Sequence, residues 1–281
     1  MQKIALLTDS ACDLSLETLK EKNIKLLPLK LIYSDREIQD KIDITAEEVY
    51  NNLENEVPKT SLPSSETIHT ILTDLENEGF THVIAITISS GLSGTFNAIR
   101  LALEDHPKLT SHVYDSKILA LPQGLLVMET CKLIEEGKSF EEIVSSLPAI
   151  HSNITGYFTI DTLEYLKKGG RIGRITGTLG EILHLKPIIT VDDNGVYYTI
   201  CKARGHKQAL SKLTDILKNE LNKCKCKVWV LQGGALETAE KYLQTLLKLD
   251  NIVDIGISEI SPALGVHAGP GLIGLAIQKV Q

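Results

Sequence analysis

Short apolar runs alternate with helical periodicities through the first half of the chain. Residues 3–8, with Ile4-Ala5-Leu6-Leu7 at their centre, read as a buried strand, and a helix follows near Leu14–Lys22. A second strand is expected within Ile24–Tyr33. Thr45–Leu53 predicts a short amphipathic helix in which Thr45 and Glu48 are spaced as a capping box. Ser64 or Ser65 caps the next helix, which runs to about Glu78, and Gly79 ends it before a strand at His82–Thr87. Thr95–Glu104 reads as helix, His112–Tyr114 as strand and Gln123–Glu136 as helix. This β-α-β-α order implies an α/β fold with a mostly parallel sheet and helices on both faces. In such sheets ligands sit beyond the carboxyl ends of the strands.

The pattern then changes. Two β runs, Pro187–Val191 and Val196–Lys202, flank Asp193-Asn194-Gly195 and predict an antiparallel hairpin. A helix is expected from about His206 to Asn222, a strand at Lys227–Gln232 and a helix at Leu236–Leu249. Two more strands are expected at Asn251–Glu259 and Gly271–Gln278. With a joint near Pro148–Ser152, the chain divides into an N-terminal α/β domain, residues 1–150, and a second mixed α/β domain, residues 151–281. At about 150 residues per domain, a length of 281 fits two units that need no disulfide or metal to hold them.

Composition narrows the partners. The 29 basic and 36 acidic residues give a net charge of −7, which disfavours a nucleic-acid partner. No apolar run reaches the roughly 20 residues that cross a bilayer, so the chain is not expected to be integral to a membrane. Met1–Leu7 is too short for a signal peptide and Asp9 interrupts it, so a cytoplasmic location is expected. The five cysteines are scattered and read as reduced thiols; Cys224-Lys225-Cys226 has the wrong spacing for a redox or zinc motif.

The candidate chemistry lies in small hydroxylated loops just after strands. Thr8-Asp9-Ser10-Ala11-Cys12-Asp13 follows the first strand, Ile88-Ser89-Ser90-Gly91-Leu92-Ser93-Gly94-Thr95 follows His82–Thr87, and Asp115-Ser116 follows His112–Tyr114. All three should converge on one sheet edge. In the second loop, glycines let a ligand approach the backbone, the helix start offers free N–H groups, and Ser93 and Thr95 add hydroxyls. That suits an anion such as a carboxylate or phosphate, although Ser and Thr also serve simply as caps. Lys59-Thr60-Ser61-Leu62-Pro63-Ser64 is a similar turn before a helix. Asp9 is expected to receive backbone N–H bonds and organise its loops, and Asp13 to cap the first helix. Lys167–Arg174, with Arg171 and Arg174 among glycines, is either a solvated loop or a contact for an anionic ligand or acidic surface.

Several motifs fail. Gly269-Pro270-Gly271-Leu272-Ile273-Gly274 matches GxGxxG but has no following helix and strand, so the dinucleotide reading is rejected. Gly91-Leu92-Ser93-Gly94-Thr95 places its second glycine too early for a nucleophile elbow. Walker A and HExxH sequences are absent. His267, between glycines, and Arg204, at the end of the hairpin, remain candidates for the same cleft.

Taken in order, these segments resemble the DegV family of bacterial lipid-binding proteins. The resemblance spans essentially the whole chain. It rests on Thr8-Asp9-Ser10 with Asp13, Thr60-Ser61-x-Pro63-Ser64, Ser89–Thr95, Asp115-Ser116, Leu163–Ile172, Lys186-Pro187-Ile188, Arg204-Gly205 and His267-Ala268-Gly269-Pro270-Gly271. The family pattern is departed from at Leu62, Ala120 and Pro122. The resemblance implies a long-chain fatty acid in a tunnel between two domains and no cofactor. Its carboxylate would be held by Thr60, Ser61, Ser93, Gly94 and Thr95, with Arg204 and His267 at the head-group end. Asp9, Ser10 and Arg171 would organise loops or meet a partner. It further implies a carrier that presents the acid to a separate cytosolic fatty acid kinase for acyl-phosphate formation. Leu125-Leu126-Val127-Met128 and Ile182-Leu183-His184-Leu185 are candidate tunnel walls or ordinary core. The alternative is an enzyme acting on a small carboxylated or phosphorylated substrate through Asp9, Ser93 and His267.

Overall fold

In the computed structural model, which describes residues 2–173, 175 and 185–280, strand β1 (Ile4–Asp9) alternates its side chains between two apolar environments. Ala5 and Leu7 face one core cluster and Leu6 faces another. Burial on both faces is why this strand reads as an unbroken apolar run. A 3-10 turn (Ser10–Cys12) leads to α1 (Leu16–Glu21). Ser15, not Asp13, caps that helix by accepting from the Thr18 N–H. Asp13 instead adopts a left-handed φ of 56° and accepts from the Ser261 N–H at 2.8 Å, so its partner lies near the other end of the chain.

The single strand expected within Ile24–Tyr33 is two. β2 (Lys25–Leu27) joins β1, and β3 (Lys30–Ile32) leaves for another sheet. Pro28 separates them and has no N–H with which to continue a ladder. β4 (Glu37–Gln39), α2 (Ala46–Asn52) and β5 (Lys59–Ser61) follow, the helix carrying the expected Thr45–Glu48 capping box. β3 pairs antiparallel with both β4 and β5. Thr60 and Ser61 therefore sit on a short strand rather than in a turn.

Next come α3 (Ser65–Asn77, capped by Ser64), β6 (His82–Thr87), α4 (Thr95–Ala102), β7 (Thr110–Asp115) and α5 (Ala120–Glu135). The sheet has the order β2-β1-β6-β7, all parallel. Ile68, Leu72 and Leu75 of α3 and Ile99 of α4 cover one face; α5 lies on the other. The next segment, which carries Pro148, is helical: α6 (Phe140–Ser152) has its own Ser139–Glu142 capping box and buries Phe140, Ile143 and Leu147. The expected joint at Pro148–Ser152 thus falls on the last turn of a helix.

The chain then forms β8 (Ile154–Thr159), α7 (Glu164–Lys168), β9 (Leu185–Val191), β10 (Tyr197–Arg204), α8 (Gly205–Leu221) and β11 (Lys225–Gly233). It ends with α9 (Leu236–Leu246), β12 (Ile252–Glu259), α10 (Pro262–Ala268) and β13 (Leu272–Val280). The six-stranded sheet runs β10-β9-β8-β13-β11-β12, with β11 and β12 parallel and the other neighbours antiparallel. α8 and α9 cover one face, through Leu213, Leu217, Tyr242 and Leu246. The opposite face sends Ile189, Leu272 and Ala276 into the core cluster that also holds α5. Packed between two sheets, α5 buries residues all round its axis, Leu121, Leu125, Leu126 and Val127 among them. Leu125–Val127 serve as core, whereas Ile182-Leu183-His184 lie outside the described residues. Among the described residues no helix is long and apolar enough to cross a membrane.

Candidate functional site

The loops after β1, β6 and β7 meet at one sheet edge, and buried hydrogen bonds fix them there. Asp9 Oδ1 accepts from the Ala11 N–H and from Gln123 Nε2, each at 3.1 Å, and Oδ2 accepts from the Ile88 N–H at 2.7 Å. Its carboxyl is pushed up to about 6, burial outweighing the bonds that lower it. Asp9 is thus a loop organiser wholly out of solvent contact. Ser90 donates through its N–H and hydroxyl to Asp115, at 2.9 and 2.5 Å. Ser89 Oγ donates to the Gly195 carbonyl at 2.7 Å, which brings the β9–β10 turn onto the same edge. Gly195 has a φ of +72°, and a Cβ there would lie 1.9 Å from Ser89 Oγ, so only glycine fits.

Beside this edge lies the more polar of two cavities, about 670 Å³ with its open mouth included, in which Thr60, Ser61, Ser93, Gly94, Arg171 and His267 stand among apolar side chains such as Leu29, Leu62 and Leu92. Thr60 on β5 and His267 on α10 are 207 positions apart, yet Thr60 Oγ1 stands 2.6 Å from His267 Nε2. Burial, and then the Arg171 charge, pushes the imidazole down to about 4, so it is neutral at pH 7. Its buried Nδ1 has no hydrogen-bond partner among the described residues. Ser93 Oγ and Thr95 Oγ1 share a hydrogen bond of 2.9 Å at the start of α4, where Gly94 supplies no side-chain cap. Arg171 is held by Nε on the Leu92 carbonyl at 3.2 Å and Nη1 on the Gly169 carbonyl at 2.6 Å. Neutral hydroxyls, a helix start and one guanidinium suit a single carboxylate or phosphate.

A second, almost wholly apolar cavity of about 610 Å³, its open side included, adjoins it, with Pro122, Phe158, Leu166, Leu231, Ile260 and Leu272 in its wall. Leu119, Tyr197, Leu264 and His267 line both, so the two lie side by side and share these side chains.

The structure does not bring every expected residue to this cavity. Thr95 is buried behind Ser93, and Asp9 and Ser10 lie beneath the loops. Arg204 is exposed at the last position of β10, whose first residue, Tyr197, reaches the cavity. At about 3.3 Å per residue the strand separates them by roughly 23 Å. Arg171, expected among the loop or partner residues, lines the polar cavity instead; Arg174 lies outside the described residues. Tyr197, Leu119 and Leu264 carried no sequence signal beyond their apolarity. Leu62 lines the polar cavity, while Ala120 and Pro122 line the apolar one, so all three departures from the family pattern touch one of the two cavities.

The geometry does not pair Ser93 with an imidazole. His267 bonds Thr60, Ser93 bonds Thr95, and no carboxylate orients the imidazole among the described residues. Nor does any group of three or more His, Cys, Asp or Glu among those residues converge as metal ligands.

A family model described as "Uncharacterised protein, DegV family" matches residues 3–280. A DegV domain-containing protein of Clostridium perfringens is 50% identical over 279 residues, which cover 99% of each chain. Of solved structures, a DegV family protein of Thermus thermophilus, described as fatty-acid binding, gives a TM-score of 0.92 at 28% identity, covering 99% of this chain and 100% of that one. A stearic acid-binding protein from Eubacterium ventriosum gives a TM-score of 0.85 at 32% identity, covering 99% and 98%.

Proposed function

Because this chain belongs to the DegV family, we propose that it binds one long-chain fatty acid between its N-terminal and C-terminal domains, residues 1–150 and 151–281. The carboxylate occupies the polar cavity and the tail the apolar one. One observation carries this reading: two adjoining cavities, the first with hydroxyls and a guanidinium in its lining and the second lined almost wholly by hydrocarbon, share Leu119, Tyr197, Leu264 and His267. A tail of about 15 methylenes gains on the order of 12 kcal/mol gross, from which ordering costs are subtracted. The tail supplies the affinity. Thr60, Ser61, Ser93, Gly94 and His267 then need only orient the head, with Thr95 behind Ser93. Arg171 takes the charged position expected of Arg204.

On this reading the protein is a cytoplasmic carrier. It offers the carboxylate to a separate fatty acid kinase, which forms the acyl phosphate, and it needs no cofactor. The unpaired state of all five cysteines fits that compartment. The similar proteins from Thermus thermophilus and Eubacterium ventriosum, both described as binding fatty acids, support the ligand class. Mass spectrometry of the denatured protein purified from bacteria is expected to find co-purified acyl chains, and added fatty acid to raise its melting temperature. No acyl chain together with no thermal shift refutes the proposal. Ser93→Ala is expected to lower affinity in part.

A further inference from the structure

The Thr60–His267 pair joins two elements from opposite ends of the chain, and a buried acid outside the cavity links the supports of both. Asp40 has no solvent exposure. Its N–H donates to the Leu29 carbonyl at 2.8 Å. Its Oδ2 accepts from Ser10 Oγ at 2.5 Å, and that same Oγ accepts from the Leu29 N–H at 3.0 Å. Both backbone groups of Leu29 are therefore fixed by Asp40 and Ser10. Leu29 leads into β3, whose Leu31 pairs with Thr60 and whose Lys30 pairs with Ser61. Asp40 Oδ1 accepts from the Ala263 N–H at 2.8 Å, in the first turn of α10. Ala263 lies four residues before His267, on the same side of that helix. Leu29 and Ala263 both line the polar cavity themselves.

A buried carboxylate is a costly way to join a strand to a helix, since packed hydrocarbon would do it without desolvating a charge. Burial raises the Asp40 carboxyl above the usual carboxylate range against the Ser10 and Ala263 bonds that lower it. Its two oxygens do what hydrocarbon does not: they set the position of one wall relative to the other along fixed hydrogen-bond directions.

We propose that Asp40, with Ser10, is a positioning residue of the head-group cleft: it fixes β5 against α10 so that Thr60 and His267 stand at hydrogen-bond distance, and thereby makes the cleft select a carboxylate over an uncharged head. The inference rests on the fatty-acid reading for its ligand, not for its geometry. The test uses the full chain, stripped of lipid, as wild type, Asp40→Asn and Ser10→Ala. The asparagine keeps an acceptor for Ala263 but places a donor where Ser10 needs an acceptor. Two readouts are taken: the imidazole ¹⁵N resonances of His267 without ligand, and the affinities for palmitic acid and hexadecanol. Asp40→Asn is expected to shift the His267 resonances and weaken palmitic acid about tenfold, while hexadecanol changes by less than about twofold. Equal losses for acid and alcohol, or unchanged His267 resonances, overturn the proposal. If Asp40→Asn does not fold, Ser10→Ala must show the same split, and equal losses there overturn it. If the wild type binds neither lipid, the fatty-acid reading has failed, and the His267 resonances alone still decide the positioning role.

Discussion

Substituting Gly169 by alanine separates backbone preference from the packing of His267. Gly169 ends α7 at φ −78° and ψ −5°, a conformation open to any residue. On backbone grounds alone, Gly169→Ala should stabilise the fold by about 0.4–1 kcal/mol. Its Cβ, however, would lie 2.0 Å from Nδ1 and 2.5 Å from Cε1 of His267. The first distance is about 1.5 Å short of the roughly 3.5 Å at which non-bonded atoms rest. The imidazole has to retreat by that much, and a move of that size breaks its 2.6 Å contact with Thr60. Overpacking costs about 1–3 kcal/mol and the lost hydrogen bond about 1 kcal/mol. The expected net effect is a destabilisation of about 1–3 kcal/mol, with fatty-acid affinity down about tenfold. Urea denaturation of wild type, Gly169→Ala, His267→Ala and the double variant forms the assay. In the His267→Ala background the alanine at 169 should become neutral or stabilising. Gly170→Ala is the control: Gly170 has a φ of +71° and nothing within 4 Å of a Cβ, so its cost is conformational and independent of His267. A stabilising Gly169→Ala, or one whose cost persists without His267, refutes the reasoning.

Asp13 is pushed up to about 7 from 3.8, chiefly by burial, so the folded chain holds its proton more tightly than the unfolded one. Its contribution is therefore fully present below about pH 4 and lost as pH rises through 7, on the order of 4 kcal/mol in total. Compared with wild type by urea denaturation, Asp13→Asn should lose that slope, and identical pH profiles would count against it. His267, pushed down to about 4, acts in the opposite sense: its contribution is present above about pH 6.5 and lost as pH falls through 4. Arg171→Met removes a charge that depresses His267, so the imidazole titration, followed by NMR, should move up from about 4 while palmitic acid weakens more than hexadecanol. An unmoved titration contradicts the placement of Arg171. Ala268 lines the apolar cavity, and Ala268→Leu should cost stearic acid more affinity than myristic acid, at about 0.8 kcal/mol per displaced methylene. An unchanged chain-length ranking excludes this cavity as the tail site.

Local periodicity was enough to place the elements that bury a face along their own length. β1 and β6, apolar on both faces, and α5, apolar all round, stand out as runs, and the Thr45–Glu48 capping box marks its helix start. The convergence of three polar loops followed from strand order, and Asp9 behaves as its place after β1 suggests. The short strands β3, β4 and β5 were not legible, because three residues carry no period and exist only through their partners. α6 had a legible capping box and face but contains a proline that reads as a linker.

Residue types and their order along the chain thus determined an α/β architecture, an anion-friendly sheet edge and a family resemblance. Only the tertiary structure decided which of those residues share a site. Thr60 meets His267 across 207 positions, Asp13 meets Ser261 across 248, and Arg171 turns into the cavity that Arg204 does not reach. Such meetings are set by sheet pairing and by the packing of α10 against α2 and α7, interactions between segments that no local pattern encodes.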